Sequence, residues 1–168
     1  MIVRITKILM SVLLAAFAGI VTFDNVTDYG SNYLFVQHVL SMDTTFPHNA
    51  LMHRASTEPA AWQASYWLII AGEGVTFVLL ALGSFVLWRA RHASGADFNH
   101  AKGYVVAGYA VGFVVWFFAF MVVGGEWFAM WQSKIWNGQD AAFRFYMAIV
   151  GVLIFVNQRD DDLRQPTR

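Results

Sequence analysis

One acidic residue lies in the middle of a long apolar run, and this position makes it the residue of the chain best placed to do chemistry. Glu73 stands about twelve positions into the apolar segment 61–88. In a membrane-spanning helix, a carboxyl group at that depth costs at least about 2.5 kcal/mol even on lenient insertion scales. Such a group serves either as a hydrogen-bonded structural carboxyl between helices or as a proton relay or cation site. We favour the structural role, because no second acid shares this depth.

Two further charged residues complete a candidate polar site. Glu126 stands at the end of the third apolar run, and Arg144 lies about one turn inside the fourth. Arg144 has three candidate partners, which we order as Glu126, Asp140 and Glu73. A pair with Glu126 costs less desolvation than a pair with Glu73, whereas the local i to i+4 pair with Asp140 is by itself worth only about 0.2 to 0.5 kcal/mol.

Sequence signatures of catalysis and of cofactor binding do not occur in the chain. It has no cysteine, no G-x-S-x-G elbow, no P-loop and no G-x-G-x-x-G fingerprint. All five histidines fall outside the apolar runs, so none is placed to bind haem between helices, and His48 and His53 lack the spacing of a helical zinc site. We therefore expect no metal, no cofactor and no enzymatic activity. A net charge of zero provides no basic face for nucleic acid.

The composition is that of a membrane protein. Hydrophobic residues make up 58% of the 168 residues and charged residues only 13%, whereas soluble proteins have roughly 45 to 50% and about 25%. Four apolar runs predict transmembrane helices at about 8–29, 60–89, 102–124 and 139–157. Because backbone polar groups cannot stay unpaired in lipid, the predicted fold class is all-α, a membrane four-helix bundle that forms one domain over 1–168.

Basic residues are distributed unevenly between the two sides of this bundle. With a cytoplasmic N-terminus, three of them are on the outer side: Arg54, Lys134 and Arg144. The inner side then has the other eight of the eleven: Arg4, Lys7, Arg89, Arg91, Lys102, Arg159, Arg164 and Arg168. The positive-inside rule therefore predicts that both termini are cytoplasmic. The inner connection 89–102 is short and polar, and we interpret it as a solvated turn without a site.

The two outer connections are predicted to be structured. The first lid, at about 30–58, is too long for a structureless loop, and its apolar spacing predicts a helix along the membrane surface. The second lid, at about 125–138, is predicted to begin where Gly124-Gly125 interrupts the third helix, and it brings tryptophans to the headgroup level. The candidate interaction surface on the two lids consists of Phe35, His38, Asp43, Trp127, Trp131 and Trp136.

A pair of glycines in the third helix indicates close helix packing. Gly108 and Gly112 have the small-xxx-small spacing that lets two helix backbones approach each other. Four helices already need such contacts among themselves. We therefore assign the pair to packing inside the bundle in preference to a dimer interface.

Four stretches of the outer connections also carry a family resemblance. DNVTDY at 24–29, FVQHVLSMDT at 35–44, GGEWFAMWQS at 124–133 and WNGQ at 136–139 resemble a bacterial family of predicted small integral membrane proteins. The resemblance extends over nearly the whole chain. It implies a four-helix protein of the proteobacterial inner membrane, and it implies no activity, ligand or catalytic residue.

Two classes of function agree with these features. The leading hypothesis is a non-catalytic accessory or interaction subunit that contacts the lipid bilayer and either a larger inner-membrane complex or further copies of itself. The alternative is a small proton-coupled transporter, channel or membrane enzyme centred on Glu73, with Glu126 and Arg144 at its outer mouth.

Overall fold

The computed structural model describes residues 1–163, and these form a bundle of helices without any β strand. Arg164 and Arg168, which the sequence assigns to the inner side, lie outside the described residues. The helices in chain order are α1 (Ile2–Thr27), α2 (Tyr29–Ser41), α3 (Pro59–Arg89), α4 (Gly95–His100), α5 (Gly103–Phe113), a π-helical segment (Val114–Trp127) that continues α5, and α6 (Gln139–Asn157). Short 3₁₀ turns occur at Met52–Arg54 and Met130–Gln132.

Four helical stretches are long and apolar enough to cross a membrane, namely α1, α3, the stretch from Gly95 to Trp127, and α6. This confirms the predicted all-α fold with four membrane helices. Helix α3 is central, because α1 and α5 both pack along it, while α6 packs against α5 and the π-helical segment. The N-terminus and the end of α6 meet at one end of the bundle, here called the terminal end. The two lids meet at the other, here called the lid end.

Each spanning helix buries a narrow stripe and leaves its other side apolar. In α1 the buried positions Ile8, Ser11, Ala15 and Ala18 follow the spacing of one helical face. Large side chains on the other faces remain exposed, for example Leu68 at 73%. Exposing the apolar surfaces of four such helices to water would be unfavourable. In a bilayer, these surfaces contact hydrocarbon without a free-energy cost.

Small residues permit the closest helix contacts. A Cβ atom at Gly83 would lie 2.6 Å from the backbone nitrogen of Val105, so α3 and α5 touch there almost backbone to backbone. The structure places Gly108 against Leu80, and it places Gly112 within reach of α3 and α6. All three glycines therefore lie at contacts inside the bundle.

The third spanning helix is not interrupted at Gly124-Gly125, in contrast to the sequence-based expectation. The helix continues to Trp127, and the Phe128 N–H donates to the Val123 carbonyl at 3.0 Å with the i to i+5 spacing of a π-helix. Both glycines are buried, and a Cβ at Gly125 would lie 2.5 Å from the side chain of Gln139. Glycine is needed here for packing against the start of α6, and it does not end the helix.

The connection 89–102 also differs from the expected solvated turn. It contains α4, which is capped by Ser94, whose hydroxyl accepts a hydrogen bond from the Asp97 N–H at 3.1 Å. Phe98 is fully buried, and Lys102 is 4% exposed. The short helix α4 therefore covers the terminal end, with one of its sides packed against the bundle.

We expect Gly83→Val to lower the free energy of unfolding by about 1 to 3 kcal/mol, because the added methyl groups must push α3 away from the α5 backbone. Denaturant titration of the detergent-solubilised protein measures the change. Gly151→Val is the matched control, since nothing lies within 4 Å of a Cβ at that position. Equal stability of the two variants would show that the α3–α5 contact is looser than described.

Candidate functional site

Glu73 lies in a hydrogen-bond network between α1 and α3. Its side chain is buried, with the residue 2% exposed. The side-chain amide of Asn25 donates to Glu73 Oε2 at 2.6 Å. The hydroxyl of Tyr66, on the same face of α3, donates to the Asn25 carbonyl oxygen at 2.8 Å. Asn25 therefore links Tyr66 and Glu73 of α3, and the carboxyl group has a neutral partner.

Asn25 is a residue that sequence reasoning missed. It stands near the end of α1, next to Asp24, and only its membership in the stretch 24–29 distinguished it. An amide among apolar residues at a helix end is an available signal, because its side chain must find a partner once it enters the bundle. The identity of that partner depends on how α1 and α3 are rotated about their axes.

The expected ion pairs of Arg144 do not form among the described residues. Arg144, Glu126 and Asp140 are all exposed, and no ion pair within 4.0 Å joins any of them to another residue in 1–163. In α6, Ala142 and Ile149 face the bundle, which turns Arg144 outward. In the π-helical segment, the two glycines that precede Glu126 are buried, whereas Glu126 itself is exposed. The acid and the base are therefore directed away from the bundle interior.

A second cluster, which the sequence did not suggest, lies at the terminal end. Lys7 and Lys102 each place Nζ 2.6 Å from Oδ2 of Asp160, and each also donates to the Gln158 carbonyl oxygen at 2.7 Å. All three charged residues are buried, at 1%, 4% and 8% exposure for Lys7, Lys102 and Asp160. We call these three residues the ion cluster. It joins the start of α1, the start of α5 and the segment after α6.

Asn99 completes the cluster from α4. Its side-chain oxygen accepts from Lys102 Nζ at 2.7 Å and from the Asp160 N–H at 3.0 Å, and its amide donates to the Asp160 carbonyl at 2.9 Å. Lys102 thus uses all three N–H donors on Asn99, Gln158 and Asp160. No N–H group of Lys102 therefore remains to bind a ligand, which indicates that this lysine has a structural role.

Arg4 supports the same junction through three hydrogen bonds of its guanidinium. It is 2% exposed and donates to three carbonyl oxygens: Arg91 at 3.1 Å, Ala93 at 2.7 Å and Asp161 at 2.8 Å. The guanidinium also lies 4.6 Å above the ring of Phe98. Sequence reasoning used Arg4, Lys7 and Lys102 only as topology signals. The run Asp160-Asp161-Asp162 directly after the last apolar segment was the overlooked sign of an acidic partner.

The electrostatics of the ion cluster favour the charged form of its acid. Burial by itself raises the pKa of Asp160, but hydrogen bonds from Lys102 and Lys7, together with their charges, outweigh burial and lower that pKa below its usual range. The carboxylate therefore stays ionised at neutral pH. Burial, together with the neighbouring Lys7, lowers the pKa of Lys102, although Asp160 opposes this shift. The Gln158 carbonyl oxygen accepts a hydrogen bond from each lysine.

At the lid end, the two lids contact each other directly. The hydroxyls of Thr44 and Ser133 are 2.8 Å apart, and the Phe46 N–H donates to the Gln132 side chain at 3.0 Å. Trp131 packs edge-to-face on the ring of Phe46, with centroids 5.7 Å apart. These contacts join segments that are almost ninety residues apart in the chain.

Four of the six candidate lid residues meet in one aromatic group. His38 stacks on Trp136 at 4.6 Å between centroids, and its Nδ1 lies 2.8 Å from Oδ2 of Asp43. Phe35 packs against Trp136 in an edge-to-face arrangement, with the ring centroids 6.3 Å apart. Trp127 lies apart from this group, under the guanidinium of Arg54 at 4.7 Å. His38 is therefore partly buried and paired with Asp43.

No group of three or more His, Cys, Asp or Glu residues within 1–163 is arranged to hold a metal ion. A family model described as "Predicted small integral membrane protein (DUF2165)" matches residues 3–159. No curated protein and no solved structure matches the chain significantly.

Replacing Asp160 with Asn should lower the free energy of unfolding by about 3 to 5 kcal/mol, because two buried lysines then lose their counter-charge. Lowering the pH should also lower the free energy of unfolding. Since the pKa of Asp160 is lower in the folded chain than in the unfolded chain, its stabilisation is present above the ordinary aspartate pKa and is lost as the pH falls through the folded-state value. Denaturant titrations at a series of pH values from neutral to acidic measure both effects.

Asp161→Asn is the matched control for this substitution. The Asp161 side chain is exposed, and its hydrogen bond to Arg4 uses the backbone carbonyl, which the substitution retains. This variant should keep both the stability and the acid sensitivity of the unmodified protein. If the two variants unfolded alike at every pH, the ion cluster would not stabilise the fold.

Proposed function

Because the chain belongs to this family of predicted small integral membrane proteins, we propose that it is a non-catalytic accessory subunit that binds a larger membrane protein complex through its lids. The observation that carries the proposal is the mutual contact of the two lids. Hydrogen bonds and aromatic packing between them hold the surface in one conformation before any partner binds. A preorganised surface loses less conformational entropy on association than flexible loops do.

The exposed side chains of the lids support a role in binding. Ile135 is 76% exposed, Trp127 54%, Phe46 51% and Trp131 49%. Tryptophan is enriched among the residues that dominate binding energies at protein interfaces. Some of these side chains also suit the headgroup region of a bilayer, where an aromatic belt is expected. Ile135 does not have the preference of tryptophan for the headgroup region. Its exposure on a lid therefore favours contact with a protein.

The terminal end supports the same proposal from the opposite side of the bundle. Arg4 and the ion cluster join three separate segments of the chain through buried hydrogen bonds. The helices are therefore connected at both ends, which suits a scaffold that presents a fixed surface. Every donor of Lys102 is engaged within the protein, so this cluster serves the fold.

The alternative function is a small proton-coupled transporter, channel or membrane enzyme centred on Glu73. The feature in its favour is a carboxyl group deep in the second spanning helix. The packing around it favours the structural role, since Asn25 and Tyr66 occupy its polar surroundings. Glu126 and Arg144, which would line the mouth of such a path, are exposed and unpaired with each other among residues 1–163.

We expect Ile135→Ser to release the partner complex while the protein itself stays folded. The test is gentle native purification of the tagged full chain, followed by mass spectrometry of stoichiometric co-purifying subunits. Ile2→Ser is the matched control, because Ile2 is 81% exposed at the terminal end. It should retain the partner. Recovery of the chain as a lone homo-oligomer in the unmodified form would contradict the accessory role.

Glu73→Gln should fold and assemble at near-native levels, because the glutamine amide oxygen can still accept the hydrogen bond from Asn25. Glu73→Leu removes that acceptor and should lower the free energy of unfolding by about 1 to 3 kcal/mol. Proton flux in proteoliposomes and thermal unfolding are measured on both. If Glu73→Gln stayed folded but abolished a flux that the unmodified protein supports, the transporter alternative would replace the accessory role.

We further propose that the membrane is the bacterial inner membrane and that the terminal end faces the cytoplasm. The excess of basic residues at that end supports this orientation. Reporter fusions at Met1, Gly95 and Arg168 should then report the cytoplasm, and fusions within either lid the opposite side. A fusion at Gly95 that reported the extracytoplasmic side would reverse the orientation.

A further inference from the structure

A large apolar cavity lies beneath the lids, between α3 and the π-helical segment. Its volume is about 570 Å³, within the range of roughly 300 to 1,000 Å³ that is typical of small-molecule sites. Helix α2 and the start of the second lid cover its top, with Val36, Leu40 and Met130 among the lining residues. The walls are formed by α3 and by the segment from Val111 to Gly124.

The cavity opens sideways toward the hydrocarbon. Leu68 and Phe118 line its walls and are also exposed on the lipid-facing surface, at 73% and 53%. Val114, another lining residue, is 55% exposed. A molecule dissolved in the bilayer can therefore enter without crossing water. The cavity is continuous with the part of the membrane from which an apolar ligand would come.

The chemistry of the lining specifies a neutral ligand with a small polar head. No lining residue carries a charge. Ser56 and Ser65 are the lining residues that carry hydroxyl groups, and neither hydroxyl makes a hydrogen bond to another group in residues 1–163. Both belong to the lid side of the cavity, just before and just after the start of α3. A ligand carbonyl near the lids would receive hydrogen bonds from them.

Aromatic rings surround the same space. Four phenylalanines line the cavity, at positions 35, 118, 120 and 128, and phenylalanine rings pack well against planar rings in offset or edge-to-face geometry. A phospholipid head is a poorer fit, because no cationic side chain lines the cavity to receive its phosphate. The observations thus favour a planar, uncharged, carbonyl-bearing head attached to a long apolar tail.

We propose that this cavity binds an isoprenoid quinone. The quinone ring lies among the phenylalanines with a carbonyl oxygen toward Ser56 and Ser65, and the prenyl chain passes between Leu68 and Phe118 into the bilayer. The inference goes beyond the accessory function and does not depend on it. It concerns binding alone, and it assigns no redox step to the protein.

The test measures decylubiquinone retained by the full chain in phosphatidylcholine nanodiscs, corrected for empty nanodiscs. The unmodified protein should bind it saturably, at about one per chain. Ala119→Phe fills the cavity and should weaken binding at least about tenfold. Ala110→Phe, an identical change on the exposed face of α5 outside the cavity, should leave binding unchanged.

A second pair of variants keeps the test informative if Ala119→Phe fails to fold. Ser65→Ala should weaken binding about three- to tenfold, the range expected for one lost hydrogen bond. Ser84→Ala is its control, because Ser84 is on the same helix, lies outside this cavity, and has a buried hydroxyl without a partner.

Two results would overturn the proposal. One is binding that is unsaturable or equal in Ser65→Ala and Ser84→Ala. The other is immobilisation of phosphatidylcholine with a spin-labelled acyl chain that decylubiquinone fails to displace, which would identify the occupant as a phospholipid tail.

Discussion

Polar groups that enter hydrocarbon must find partners within the protein, and this constraint explains most of the interior of the bundle. The Ser11 hydroxyl lies 2.6 Å from that of Tyr109, and Thr76 donates to the carbonyl one turn earlier at 2.8 Å. Glu73 obeys the same constraint through Asn25. The pairings of Ser11 with Tyr109 and of Asn25 with Glu73 join different helices and require a particular rotation of each, so these polar groups select one arrangement from the many that apolar packing alone would permit.

The two ends of the bundle satisfy their polar groups by different means. At the terminal end, charged side chains are buried against carbonyl oxygens and one carboxylate, an arrangement that is costly to desolvate and strongly destabilising to break. Such a junction favours specificity, because Lys7 and Asp160 can pair only when the first and last spanning helices are neighbours. At the lid end, aromatic stacking and neutral hydrogen bonds join the lids. That chemistry suits the headgroup region, where an aromatic ring has hydrocarbon on one side and water on the other.

The cavity and the lid surface lie at the same end of the molecule, and the two proposals therefore share a structural basis. Helix α2 contributes Phe35 both to the aromatic group with Trp136 and to the lining of the cavity. A ligand in the cavity would contact the inner side of the surface that a partner protein would contact from outside. Binding at one site would change affinity at the other only if the ligand stabilised one conformation of α2 over another.

The sequence by itself determined that four long apolar helices form and that Glu73 lies within the second of them. The predicted helices 60–89 and 139–157 agree closely with α3 and α6, because bilayer thickness sets helix length and hydropathy is a local property of the chain. Only the tertiary structure decided which polar groups meet. Glu73 pairs with Asn25 and leaves Arg144 exposed, and Lys7 reaches an acid 153 residues away. Such pairs depend on the rotation and neighbourhood of whole helices, which apolar periodicity cannot specify when every face of each helix is apolar enough for lipid.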